Sequence, residues 1–180
     1  YSDHERAPEL LFSAAKSYEK LGDDRNQMKT YQLFNKIYGL DNKHSALLIQ
    51  GLAESIKIYQ KRGNTRKVKS LREQIIKEFK KRDLPKNSIS AKYTAEAAFA
   101  LIETRFQAFT RIKIKGSMRK QGKIIEKLKK EIAGLTSDYG DMLKYKSLDW
   151  SIAAFYRIGL LRQVFAEALY NLPVPESLSD

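Results

Sequence analysis

The chain has 180 residues and no Cys; it is 42% hydrophobic and 31% charged, with a formal net charge of +13. This composition argues against global disorder, and the lack of Cys excludes disulfides, thiol nucleophiles and Cys-ligated zinc while leaving the compartment open. Nine Gly and four Pro lie thinly among stretches rich in Ala, Leu, Lys, Glu and Ile, which predicts an all-α protein.

Hydrophobic period and helix punctuation predict seven helices joined by short polar turns. The first opens near Pro8, places Leu11, Ala14, Ala15, Tyr18 and Leu21 on one face, and stops at Gly22. Asp23 or Asp24 caps the second, whose apolar positions Met28, Tyr31, Leu33, Phe34, Ile37 and Tyr38 run to Gly39. Asn42 is the expected cap of the third, which carries Leu48, Leu52, Ile56 and Tyr59 before Gly63. Asn64 starts the fourth, marked by Val68, Leu71, Ile75, Ile76 and Phe79 and closed at Leu84-Pro85.

Beyond Pro85 the helices lengthen. The fifth is expected to carry Ala91, Ala95, Ala98, Ile102, Phe106, Phe109 and Ile112 and to end near Gly116. The sixth repeats apolar residues from Met118 through Ile125, Leu128, Ile132, Leu135 and Tyr139 to Met142, the spacing of a seam against an antiparallel neighbour. The seventh runs from about Leu148 through Trp150, Ile152, Phe155, Ile158, Leu161, Phe165 and Leu169 until Pro173 and Pro175 stop it. The expected division is two helical hairpins over 1–85 and a bundle of three long helices over 86–180. No apolar run reaches membrane-spanning length, the best being Ala97 to Ile102. The start at Tyr1, without Met or leader, reads as a segment of a longer protein.

Residues 57–86 hold twelve Lys/Arg against three Asp/Glu, and 111–130 hold nine against one, so these two windows carry the positive charge. The second supplies a candidate basic surface of Arg111, Lys113, Lys115, Arg119, Lys120, Lys123 and Lys127, for which nucleic acid or an anionic membrane is a candidate partner. The plainer alternative is a solvated helix face. Aromatic residues for stacking single-stranded bases are missing from this window.

Motifs for catalysis or cofactor binding are not found. His4 and His44 have no helical partner at ligand spacing, and Asp23-Asp24 fits a helix cap and first-turn acid. Phosphate-binding loops, dinucleotide fingerprints and nucleophile elbows do not occur. Glu126 and Glu131 lack the His that a di-iron bundle requires. Trp150 is the lone tryptophan and suits a core or interface anchor. The expectation is a non-enzyme without cofactor, metal or small-molecule substrate.

Two internal echoes remain. Tyr18-x-x-x-Gly22 recurs as Tyr59-x-x-x-Gly63, a period of 41 residues, and Ala97-Ala98-Phe99-x-x-Ile102 with Phe109 recurs as Ala153-Ala154-Phe155-x-x-Ile158 with Phe165. Ala15, Tyr18, Gly22 and Tyr31 resemble the tetratricopeptide pattern. The second unit keeps Tyr59 and Gly63 but has Ile56 for the small residue and Arg72 for the second aromatic, and the period exceeds the family's ~34. The stretch from Trp150 to Pro175 resembles the end of bacterial tetratricopeptide proteins associated with gliding motility and the cell envelope.

This resemblance implies an all-α, tetratricopeptide-like hairpin solenoid followed by the three-helix bundle, acting as a scaffold or adaptor for another protein. It also implies an envelope or periplasmic setting over a cytoplasmic one. The family's groove positions fall on Phe12, Lys16, Glu19 and Lys20 in the first unit, and on Ala53, Lys57, Gln60 and Lys61 in the second. Phe12, Lys16, Lys20, Lys57 and Lys61 thus form a candidate basic groove for an acidic peptide segment or a free carboxylate. The Asn by which the family grips a carboxylate is missing from both units.

Overall fold

Helix ends built from the same few hydrogen bonds organise the chain. The computed structural model describes residues 5–172, and among them all regular structure is helical. The helices are α1 (Ala7–Lys20), α2 (Asp24–Tyr38), α3 (Ser45–Lys61), α4 (Thr65–Lys81), α5 (Ile89–Thr110), α6 (Met118–Gly140) and α7 (Leu148–Tyr170), with short 3-10 turns at Asn42–His44 and Asp141–Tyr145. The all-α class is therefore established. His4 and the stop expected at Pro173 and Pro175 lie outside the described residues. None of the described helices is long and apolar enough to cross a membrane.

Packing divides the chain into two compact units, residues 1–98 and 99–180, with the division inside α5. Helix α5 serves both units, with Ala97 in the core of the first and Phe99 among the aromatic residues of the second.

In the first unit α1 packs on α2, α2 on α3 and α3 on α4. Phe12 stacks 5.4 Å from Tyr31 and 5.9 Å from Phe34, and Gly51 lets α3 approach this cluster, since a Cβ there would sit 3.1 Å from the Tyr31 ring. The α1–α2 and α3–α4 turns match bond for bond. Asp23 N donates to Tyr18 O and Asn64 N to Tyr59 O, both at 2.9 Å; Gly22 N donates to Glu19 O and Gly63 N to Gln60 O, both at 3.0 Å. These are Schellman turns, and the glycines stand at φ +70° and +66°, where a side chain is strained. Asp23 and Asn64 then cap the next helix through bonds of 3.0 Å from Asn26 N and Lys67 N. Helix α4 ends the same way, with Leu84 N donating to Phe79 O and Asp83 at φ +48° in the glycine's place.

The α2–α3 connection differs from expectation. Asn42 does not cap the third helix: Asp41 caps a 3-10 turn by accepting from Lys43 N at 2.9 Å, and α3 begins at Ser45. This turn is held from a distance by Arg82. Its Nε donates to Glu78 Oε2 at 2.8 Å, its Nη1 to Ser45 Oγ at 3.0 Å and Asp41 O at 3.3 Å, and its Nη2 to Gly39 O.

In the second unit α6 packs on α7, and Phe99 of α5 lies 5.6 Å from Tyr139 and 5.1 Å from Trp150. Glu103 joins all three helices: it accepts from Tyr139 Oη at 2.6 Å and from Arg157 Nε and Nη2 at 2.7 and 2.9 Å. The Arg157 guanidinium also covers the Phe106 ring at 4.9 Å. Ile112 lies beyond the end of α5, because the alternating Arg111-Ile-Lys-Ile-Lys115 run places β-branched residues where helix continuation is weak. Met142 reaches the core from the 3-10 turn after α6.

Candidate functional site

The groove positions inferred from the first two hairpins separate in the structure. Phe12 is a correction: it is 7% exposed, because the rings of Tyr31 and Phe34 enclose it on the α2 side of α1. Lys20 is exposed, and Lys61 Nζ lies 3.2 Å from Asp24 Oδ1. Lys16 and Lys57 do come together, on an acid that charge counting passed over. Lys16 Nζ is 3.0 Å from Glu54 Oε1 and 2.9 Å from Glu19 Oε2, while Lys57 Nζ is 2.8 Å from Glu54 Oε2.

Glu54 is 3% exposed, and this decides the electrostatics. Burial works against its charge, yet the adjoining Lys57 and Lys16 ammonium groups outweigh that and hold its carboxyl below the ordinary range. Burial likewise opposes the Lys16 ammonium, and the bonds to Glu19 and Glu54 reverse the effect, raising its pKa; the bond to Glu54 raises that of Lys57. The pair of groove lysines is therefore spent within the fold. The nearby Tyr31 hydroxyl is buried without a hydrogen-bond partner, and burial pushes its pKa up. A cleft of about 40 Å³ lined by Tyr31, Phe34, Leu48, Gly51 and Ser55 is far below the ~300–1,000 Å³ of small-molecule sites. The sequence signal for this cluster is Glu54 itself, the only charged residue between Leu47 and Ile56.

The other candidate surface has the opposite character. Arg111, Lys113 and Lys115 are exposed on the segment between α5 and α6, and Arg119, Lys120, Lys123 and Lys127 are exposed on α6. Arg119, Lys123, Lys127 and Lys130, with Gly122 and Glu126, line one shallow depression along α6. Glu126 is occupied by Lys129 at 3.0 Å, and among the described residues none of these four cations forms an ion pair. Their spacing of three or four residues sets neighbouring charges about 5–6 Å apart along the axis.

No group of three or more metal-ligating side chains occurs among the described residues. His44 packs edge-on against Tyr38 at 5.5 Å. Compared with family models, curated proteins and solved structures, the chain matches none.

Proposed function

We propose that the chain is a non-catalytic, tetratricopeptide-like scaffold that binds an acidic protein segment. In this reading the first unit is a short hairpin solenoid, the second is a bundle of three long helices, and α6 is the docking face. The observation that carries it is the stripe of Arg119, Lys123, Lys127 and Lys130, exposed and without an ion pair among the described residues, while Lys16, Lys57 and Lys61 are bound to Glu54 and Asp24. Holding like charges side by side on one helix face costs stability that an anionic partner relieves. An acidic helix with carboxylates at the same three-to-four spacing is complementary to it. The likeness of the C-terminal stretch to envelope and motility proteins supports a bacterial envelope-linked assembly as the setting.

Titration of a labelled helical peptide bearing Glu at every fourth position tests this. Binding is expected to weaken at least tenfold in the double variant Lys123→Glu/Lys127→Glu, while Lys20→Glu leaves it unchanged. Equal affinity of both variants removes the docking face. The same unpaired cations also fit a phosphate backbone, so a duplex oligonucleotide or anionic vesicle that binds more tightly than the peptide, with a steep salt dependence, would replace the protein partner.

A further inference from the structure

The outer face of α7 is an apolar stripe with a symmetry of its own. Leu148, Ile152, Phe155, Gly159, Gln163, Ala166 and Tyr170 are all exposed, and at ~100° per residue they lie within about 40° of one line along the helix. The buried positions Ala154 and Leu161 occupy the opposite side. The stripe contains no charged residue, and its positions repeat after eleven residues, about three turns of the helix. It also reads the same in both directions from Gly159. Phe155 and Gln163 stand four residues away, Ile152 and Ala166 seven, Leu148 and Tyr170 eleven.

We propose that α7 is a self-association helix, two copies packing antiparallel about a two-fold axis at Gly159. At two of the three pairs a larger side chain then meets a smaller or polar one: Ile152 lies over Ala166 of the second copy and Phe155 over its Gln163, while Leu148 meets Tyr170 at each end. The missing Cβ at Gly159, where an added one would meet nothing in the monomer, allows the two backbones to approach at the axis. On one flank Phe155 comes beside Arg162 of the second copy, a cation–π pairing; on the other Tyr156 reaches Gln163 of the second copy. Leu148 is 74% exposed, Ile152 59%, Phe155 58% and Tyr170 91%. At these exposures the four side chains offer roughly 400–500 Å², and Gln163 with the flanking Tyr156 and Arg162 extends this toward the ~800 Å² per partner of a stable interface.

The duplicated motif supports the same conclusion. Phe99 of the first copy is 9% exposed and packs on Tyr139 and Trp150, while its counterpart Phe155 is 58% exposed and has no such cover among the described residues. The stripe is uncharged and its flanks set Asp149 and Glu167 against Arg162, so an anionic lipid surface meets no net positive charge there. Acidic segments are equally poor, since the stripe itself offers no charge.

The test uses the 180-residue chain. Sedimentation equilibrium is expected to show a monomer–dimer equilibrium at micromolar concentration, with Phe155→Glu shifting it at least tenfold toward monomer and leaving the far-ultraviolet circular dichroism unchanged. Because the chain has no Cys, Gly159→Cys supplies a single thiol at the two-fold, and mild oxidation should cross-link it to its own counterpart. Gly122→Cys, on the solvent face of α6, is the control and should cross-link far more slowly. A chain that stays monomeric at high micromolar concentration overturns the proposal. So does a dimer indifferent to Phe155→Glu, or equal cross-linking of the two cysteine variants.

Discussion

Removing Arg82 should be among the costliest changes of a charged residue in the first unit. Its side chain is 6% exposed and that of Glu78 17%, so the pair is largely desolvated. Arg82→Ala strands the Glu78 carboxylate and frees the carbonyls of Gly39 and Asp41 at the end of α2. Breaking a buried pair from one side costs ~3–5 kcal/mol, and the partial access of water to Glu78 sets the expectation at the lower end, about 3 kcal/mol. Urea denaturation followed by circular dichroism measures it: with a slope of ~2 kcal/mol per molar, the midpoint should fall by about 1.5 M. Arg82→Lys keeps the charge beside Glu78 but has no planar fork for the turn carbonyls, so about half the loss is expected. Lys69→Ala on the exposed side of α4 is the comparison, its pair with Glu73 being open to solvent at 3.9 Å. If Arg82→Ala falls within ~0.5 kcal/mol of the parent, the clamp does not hold the turn.

Glu54, whose folded pKa is depressed, contributes stability that is complete above the ordinary carboxylate value of ~4.3 and is lost as pH falls through the lower folded one. Glu54→Gln should flatten that acid limb in pH-dependent denaturation; an unchanged limb refutes the role given to the Lys16–Glu54–Lys57 cluster. For the lysines the sign is opposite, their contribution being present below the ordinary ~10.4 and lost only as pH rises through the raised folded values. Gly22→Ala and Gly63→Ala should each destabilise by about 1 kcal/mol, since both stand at positive φ, whereas Gly122→Ala in the exposed interior of α6 should stabilise by ~0.5–1 kcal/mol. Thermal melts that move all three the same way would contradict the turn assignment. Glu103→Ala leaves the buried Tyr139 hydroxyl and Arg157 without their acceptor and should cost ~2–3 kcal/mol, read as loss of the Trp150 fluorescence transition at lower urea.

The helix boundaries set by local chemistry are readable from sequence because their causes lie within six residues. Gly22 and Gly63 need only their own helix end to adopt the left-handed conformation, and Asp23 and Asn64 need only the next turn to cap it. Asn42 misleads for a related reason. Asp41 beside it is an equally good cap, and Arg82, forty residues further on, decides the shape of that turn by bonding Asp41 and Ser45. The α5 end shows the same limit, since Ile112 fits the helical apolar period but sits in an alternating β-branched run that favours extended chain.

The candidate sites divide along the same line. Counting lysines by their place in a repeat finds Lys16 and Lys57 at equivalent positions, and they are indeed neighbours, but it cannot reveal that a carboxylate lies between them. Glu54 projects inward from a helix that is apolar on nearly every side, and an acid so placed is tolerable only with cationic partners. The lysines at the mouth of the hairpins are thus what makes Glu54 affordable. Cations free for an outside partner must then be sought where no internal acid claims them, and the outer face of α6 is one such place. There Glu126 is already held by Lys129, and the remaining charges stay exposed.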